Sequence, residues 1–201
     1  MGIGLVTVLA QSQSAPIYRT TLPAHIMVRD GFDWAHDKVS VKIYGSGGLP
    51  VLPDYQSKIL TVLDAAALYN LPKKLSENFI LTPHDGEFEK AFPNLKGTRL
   101  EKAIAAAQQI KAHIVLKGAE TIIACPNGKH MINRHAPALL ATAGAGDVLA
   151  GMIGGLVGQK MDIFQACNAA TWIHGECAYK CGKGLVAEDL VDMIPAVLQN
   201  L

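Results

Sequence analysis

Ala141-Thr142-Ala143-Gly144-Ala145-Gly146-Asp147, running on into Val148-Leu149-Ala150-Gly151, decides how the rest of the chain is read. Small residues let a backbone approach a ligand closely. The apolar run after Asp147 predicts a helix from Gly144 to about Val157. The first N–H groups of such a helix have no intrahelical acceptor, and its dipole is positive at that end. The amides of Ala145, Gly146 and Asp147 therefore suit a phosphate or a developing oxyanion. Asp147 at the same end can orient or deprotonate a hydroxyl. Phosphoryl transfer rests mainly on positioning and electrostatics, so a weak base is adequate. No Gly-Lys-Ser or Gly-Lys-Thr follows, which excludes a P-loop. The same residues also suit a plain glycine-rich turn in which Asp147 only starts the helix.

Working outward, strand, loop and helix alternate. Ile3–Leu9 reads as a strand buried on both faces. Val39–Tyr44 is a second strand, ending in Gly45-Ser46-Gly47-Gly48. Ile59–Leu63 is a third, ending in Asp64 and a short helical stretch through Leu68. Phe79–Leu81 is a fourth. Thr98 and Glu101 form a capping box before an alanine-rich helix to Ala112. His113–Leu116 follows as a strand, and Asn127-Gly128 marks a hairpin between Thr121–Cys125 and Lys129–Ile132. Asp162 and Gln165 cap a helix reaching about Lys180. Ala187–Leu198 predicts an amphipathic helix interrupted at Pro195. The pattern implies a doubly wound α/β fold, with ligands at the carboxyl ends of the strands.

Composition narrows the function classes. With 201 residues, 50% of them hydrophobic, the chain suits one domain with a full core. A net charge of +1 without a basic stripe argues against nucleic acid as a partner. Met1–Ala10 followed by Gln11–Ala15 imitates a signal peptide, but no Lys or Arg precedes Arg19. The longest apolar run, Val148–Val157, is too short to cross a bilayer. These features predict a cytoplasmic protein with no membrane partner. Cys125, Cys167, Cys177 and Cys181 match no zinc or redox spacing and read as small apolar residues.

Three further clusters carry polar groups at loop positions. Lys117-Gly118-Ala119-Glu120-Thr121 lies in a strand-to-strand connection, where Lys117 can neutralise phosphate and Thr121 can bond a ribose or phosphate oxygen. An ordinary turn with a solvated lysine is the alternative. His84 and Glu87 lie at another strand end. His84 can serve as acid, base or donor, and Glu87 can help place magnesium or water. The alternative is a helix start with Asp85 and Glu87 complementing the dipole. His174, within a predicted helix, reads as a core histidine.

In order along the chain, these segments resemble the ADP/ATP-dependent NAD(P)H-hydrate dehydratases of the ribokinase-like superfamily. Gly2-Ile3-Gly4-Leu5-Val6-Thr7-Val8 resembles the family's early strand, and Gly45-Ser46-Gly47 its Gly-Pro-Gly turn. Val62-Leu63-Asp64-Ala65-Ala66-Ala67-Leu68, Leu81–Glu87, Val115–Thr121, Ala141–Gly151 and Gly184–Leu190 resemble further family segments. The resemblance implies a three-layer α/β fold with a mostly parallel central sheet flanked by helices. It implies repair of hydrated NADH or NADPH: ADP or ATP with magnesium phosphorylates the hydrate's hydroxyl, and phosphate then leaves.

On that resemblance, Lys117, Gly118, Ala119, Glu120, Thr121, Gly144, Ala145 and Gly146 bind the nucleotide. Asp147 is the base beside the hydrate, and Gly45, Gly47 and His84 hold the hydrate; Glu87 stays a candidate metal ligand from its place at the strand end alone. Homo-oligomers occur in the family. A small-alcohol kinase of the same superfamily, and a degenerate member that only binds nucleotide, are the competing readings. The chain departs from the family pattern in three ways. Asp85 stands for a usual Pro, Ala66 for an Asp, and the Gly45–Asp64 stretch is short. The resemblance also makes residues 1–201 a single domain beginning after the family's first glycine-rich β–α unit.

Overall fold

The short apolar runs of the middle of the chain alternate their side chains between two faces, and each face needs a cover. A computed structural model, which describes residues 1–32 and 38–201, shows how both are covered. In chain order the elements are β1 (Val6–Ala10), α1 (Ala15–Thr21), β2 (Ile26–Asp30), β3 (Val41–Tyr44), β4 (Leu60–Leu63), a 3-10 turn at Ala65–Leu68 and β5 (Phe79–Leu81). Then come α2 (Asp85–Ala91), α3 (Arg99–Ile110), β6 (His113–Leu116), β7 (Thr121–Ala124), β8 (His130–Asn133), a 3-10 turn at Ala138–Leu140, α4 (Ala145–Gly158), α5 (Ile163–Cys181) and α6 (Ala187–Leu198).

β3 to β8 form one six-stranded sheet in sequential order. β3, β4, β5 and β6 pair in parallel; β7 and β8 add antiparallel at one edge. Leu63, Phe79, Leu81, Ile114 and Leu116 face one way, into a core shared with Phe88 of α2 and Ala103, Ala106, Ala107 and Ile110 of α3. Val62, Ile80, Val115 and Ile123 face the other way, against α4, α5 and α6. The result is a three-layer α/β fold with a mostly parallel central sheet. It differs from the doubly wound expectation in one respect. Steady strand order puts the crossovers on one face, and the second face is covered by helices that follow the last strand.

The predicted caps form. Thr98 Oγ1 accepts from Glu101 N and Glu101 Oε2 accepts from Thr98 N, while Asp162 Oδ1 accepts from Gln165 N. Each such cap contributes about 1 kcal/mol.

Two expectations are corrected. β1 is not buried on both faces: Leu5 is 64% and Val6 40% exposed. Among the described residues it pairs with β2 alone, in a separate two-stranded parallel sheet with α1 beside it, and of this strand only Ala10 is buried. Gln11–Ala15 leads into α1, with Pro16 in its first turn. Pro195 does not interrupt α6. It lies on the exposed face near the helix end, where the carbonyl it leaves unpaired can meet water.

Candidate functional site

The carboxyl ends of the four parallel strands each deliver a polar group to one edge of the sheet. β3 ends in the glycine turn. Gly45 has φ +108, and a Cβ there would overlap the Asp64 carbonyl and lie 2.9 Å from Ala67 N, so only glycine fits. Gly48 N donates to Gly45 O at 3.0 Å, closing the turn with Ser46 and Gly47 exposed. β4 ends in Asp64, 2% exposed. β5 ends in Thr82, whose hydroxyl donates to Asp64 Oδ1 at 2.6 Å. β6 ends in Lys117, whose ammonium donates to the same oxygen at 2.9 Å.

This pair corrects the solvated-lysine alternative: the Lys117 side chain is only 19% exposed and its partner 3%. Desolvation makes such a pair costly to break from one side. Opposite the pair lies the first turn of α4. A Cβ built on Gly146 would be 3.1 Å from Lys117 Nζ, so the ammonium rests over the helix N-terminus. Gly144, the N-cap, has φ +84 and packs against Ala187 at the start of α6. Asp147 is in the first turn of α4 and exposed. The paired Lys117 ammonium and the positive end of the helix dipole thus lie side by side, with the exposed Asp147 carboxylate at their rim.

Behind this surface His174 is 6% exposed, as a core histidine should be. Burial pushes its pKa down to about 4, against a hydrogen bond with the Ala145 backbone that favours the charged form. The nearby Lys117 charge also lowers it.

His84 and Glu87 form a reciprocal cap at the start of α2. Glu87 N donates to His84 Nδ1 at 3.2 Å, and His84 N donates to Glu87 Oε2 at 2.8 Å. Glu87 is buried and engaged here, so the geometry favours the helix-start reading for its carboxylate over metal ligation. Among the described residues, no group of three or more His, Cys, Asp and Glu side chains is set to hold a metal. His84 keeps a side chain 59% exposed, and it neighbours Lys117 through a parallel bridge in which Lys117 N donates to Pro83 O at 2.8 Å.

The Lys117–Thr121 connection divides by direction. Lys117 points into the site. Gly118 lies against the Arg99 guanidinium. Ala119 is exposed. Glu120 turns outward to Arg134 at 2.7 Å. Thr121 is 5% exposed, and its hydroxyl donates to Gly118 O at 3.2 Å. That hydroxyl closes the loop in this structure. Gly45, Gly47, His84, Lys117, Gly144, Ala145, Gly146 and Asp147 are thus gathered on one edge, with Glu87, Glu120 and Thr121 in supporting contacts. Sequence reasoning did not assign Asp64, Thr82 or Arg99 to the site. The available signal was Asp64 itself, an acid directly after an apolar strand.

A sequence-family model for NAD(P)H-hydrate dehydratase matches residues 1–196. The chain belongs to the NAD(P)H-hydrate dehydratase family. It is 33% identical over 219 residues to the ADP-dependent (S)-NAD(P)H-hydrate dehydratase of Bacillus subtilis, covering 98% of this chain and 79% of that one. It is 46% identical over 153 residues to the bifunctional NAD(P)H-hydrate repair enzyme of Thermosynechococcus vestitus, covering 70% of this chain and 30% of that one. The chain therefore spans less than a third of that bifunctional relative. The crystal structure of the Bacillus subtilis ADP/ATP-dependent dehydratase with ATP and Mg2+, soaked with CoA, superposes with a TM-score of 0.84 at 27% identity. That match covers 99% of this chain and 82% of the other. A ribokinase-like superfamily protein of Enterococcus faecalis shares the fold, with a TM-score of 0.81 at 22% identity. No helix among the described residues is long and apolar enough to cross a membrane.

Proposed function

We propose that this family member dehydrates hydrated NADH or NADPH at the expense of ADP or ATP, with residues 1–201 acting as one ribokinase-like domain. One observation carries the reading: the Lys117 ammonium, anchored on buried Asp64, rests over the first turn of α4 next to Asp147.

In this mechanism the hydrate's hydroxyl oxygen attacks the terminal phosphorus of the nucleotide. A bond forms from that oxygen to phosphorus as the phosphorus–oxygen bond to the leaving nucleotide breaks. Asp147 takes the hydroxyl proton. Lys117 and the amides of Gly146 and Asp147 hold the charge that builds on the transferred phosphoryl oxygens. The carbon–oxygen bond then breaks, phosphate leaves with the electron pair, and a neighbouring ring carbon loses a proton to restore the dihydropyridine. His84 and the Gly45–Gly47 turn hold the hydrate; Gly118, Ala119, Glu120 and Thr121 present the nucleotide loop. Magnesium would travel on the nucleotide phosphates and neutralise them there, which needs few protein ligands and accords with the engaged Glu87. The four free thiols fit a cytoplasmic setting.

The test is incubation with hydrated NADPH, magnesium and either ADP or ATP, following the return of dihydronicotinamide absorbance. Recovery that needs nucleotide and is lost in Asp147→Asn is expected. Stable phosphorylation of a small alcohol without hydrate repair would replace the dehydratase reading with a kinase.

A further inference from the structure

Arg99 is the first residue of α3, a place where a cation opposes the helix dipole. Its contacts account for it being there. Nε donates to Asp85 Oδ1 at 2.7 Å, Nη2 to Lys117 O at 2.7 Å and to Leu116 O at 3.3 Å, and Nη1 to Glu120 O. The guanidinium is a rigid planar fork with five N–H donors, and here it spans the whole nucleotide loop. The carbonyls of Leu116 and Lys117 belong to the two peptide planes that flank the Lys117 Cα. Because each peptide is planar, holding both carbonyls fixes the direction in which the Lys117 side chain leaves the backbone. Gly118 permits this approach: a Cβ there would lie 2.6 Å from Nη2 and 3.1 Å from Cζ.

Asp85 supplies the counter-charge. It is the residue after the His84 cap, so the same guanidinium ties the start of α2 to the Lys117–Thr121 loop. The ion pair also answers the charge problem that this aspartate poses beside a phosphate-rich ligand, since its partner cancels it.

We propose that Arg99 is a positioning residue for nucleotide binding, with Asp85 as its counter-ion. The proposal rests on the nucleotide-loop reading given above. Arg99 acts through the backbone on either side of Lys117, and the fork geometry matters as well as the charge. A lysine, with one compact ammonium, cannot hold the carbonyls and Asp85 together.

The test is calorimetric titration of the parent chain, Arg99→Met, Arg99→Lys and Asp85→Asn with ADP and with ATP in magnesium, alongside KM for nucleotide and for hydrate. Arg99→Met should raise nucleotide Kd and KM about tenfold while hydrate KM stays within about twofold. Arg99→Lys should recover only part of that loss. Asp85→Asn, which removes the counter-ion that aims the guanidinium at those carbonyls, should raise nucleotide Kd by about threefold. Unchanged nucleotide affinity in Arg99→Met, an equal rise in both KM values, or full recovery by lysine would overturn the proposal. Should Arg99→Met fail to fold, unchanged affinity in Asp85→Asn would overturn it alone. A parent chain that binds neither nucleotide would instead remove the nucleotide reading beneath it.

Discussion

The two walls of the site are built differently. The proposed nucleotide wall is braced by side chains: Thr82 donates to Asp64, which holds the Lys117 ammonium, Arg99 holds the loop's carbonyls, and Arg134 holds Glu120. The proposed hydrate wall is held by local bonds, the backbone-closed Gly45–Gly48 turn and the His84–Glu87 cap in which each side chain accepts from a backbone N–H, and its tips are exposed. Bracing fixes charge in advance, which is what phosphoryl transfer needs. An exposed wall sets substrate fit and contributes less to the rate. Substitutions on the nucleotide wall should therefore act on the chemical step and on nucleotide affinity, and those on the hydrate wall on hydrate KM.

Asp147→Asn should do the most, lowering kcat by about 10²- to 10⁴-fold with nucleotide Kd nearly unchanged, measured by hydrate repair and calorimetry. Near-parental turnover would remove Asp147 as base and with it the functional meeting point of the walls. Asp64→Ala strands the Lys117 charge and should cost about 3–5 kcal/mol in urea unfolding. Nucleotide KM should rise with it. A loss under about 1 kcal/mol would show the pair to be no stronger than a surface contact, and the contrast between the walls would weaken.

The pH dependence probes the same wall from behind. The folded pKa of His174 is about 4 against an ordinary 6.5. The unfolded chain therefore takes up a proton that the folded one refuses. The stability from this group is complete above pH 6.5 and drains away as pH falls toward 4, by about 3 kcal/mol in total. His174→Asn should flatten that part of the curve when urea unfolding is compared across the window. An identical slope in the variant would assign it to other groups. His84→Ala should have the smallest effect, costing about 1 kcal/mol through the lost cap and raising hydrate KM several-fold. If nucleotide KM rose equally, the walls would not be separable.

Much of this was legible in the residues. Phe79–Leu81, His113–Leu116 and the Ala187–Leu198 helix have the predicted bounds, because runs bounded by turns and caps carry their own limits. The turn before α4 was legible because small residues before an apolar run can do little else. β2 and α1 leave no clear pattern in the sequence, since both are short and neither lies in the main core. The sequence marks Asp64 as a strand end but not as an anchor, because its partner Lys117 is 53 positions away.

The sequence by itself determined the α/β class, the family and the list of polar loops, since periodicity, capping residues and ordered motifs are local properties. Only the tertiary structure decided which loops meet. It paired Lys117, largely withdrawn from solvent, with buried Asp64, and it engaged the Glu87 carboxylate in the cap of α2. It also gave Asp85 a partner in Arg99. The reason is physical: burial and charge pairing depend on what lies opposite a side chain, and the sheet order that sets those neighbours is not written in any single segment.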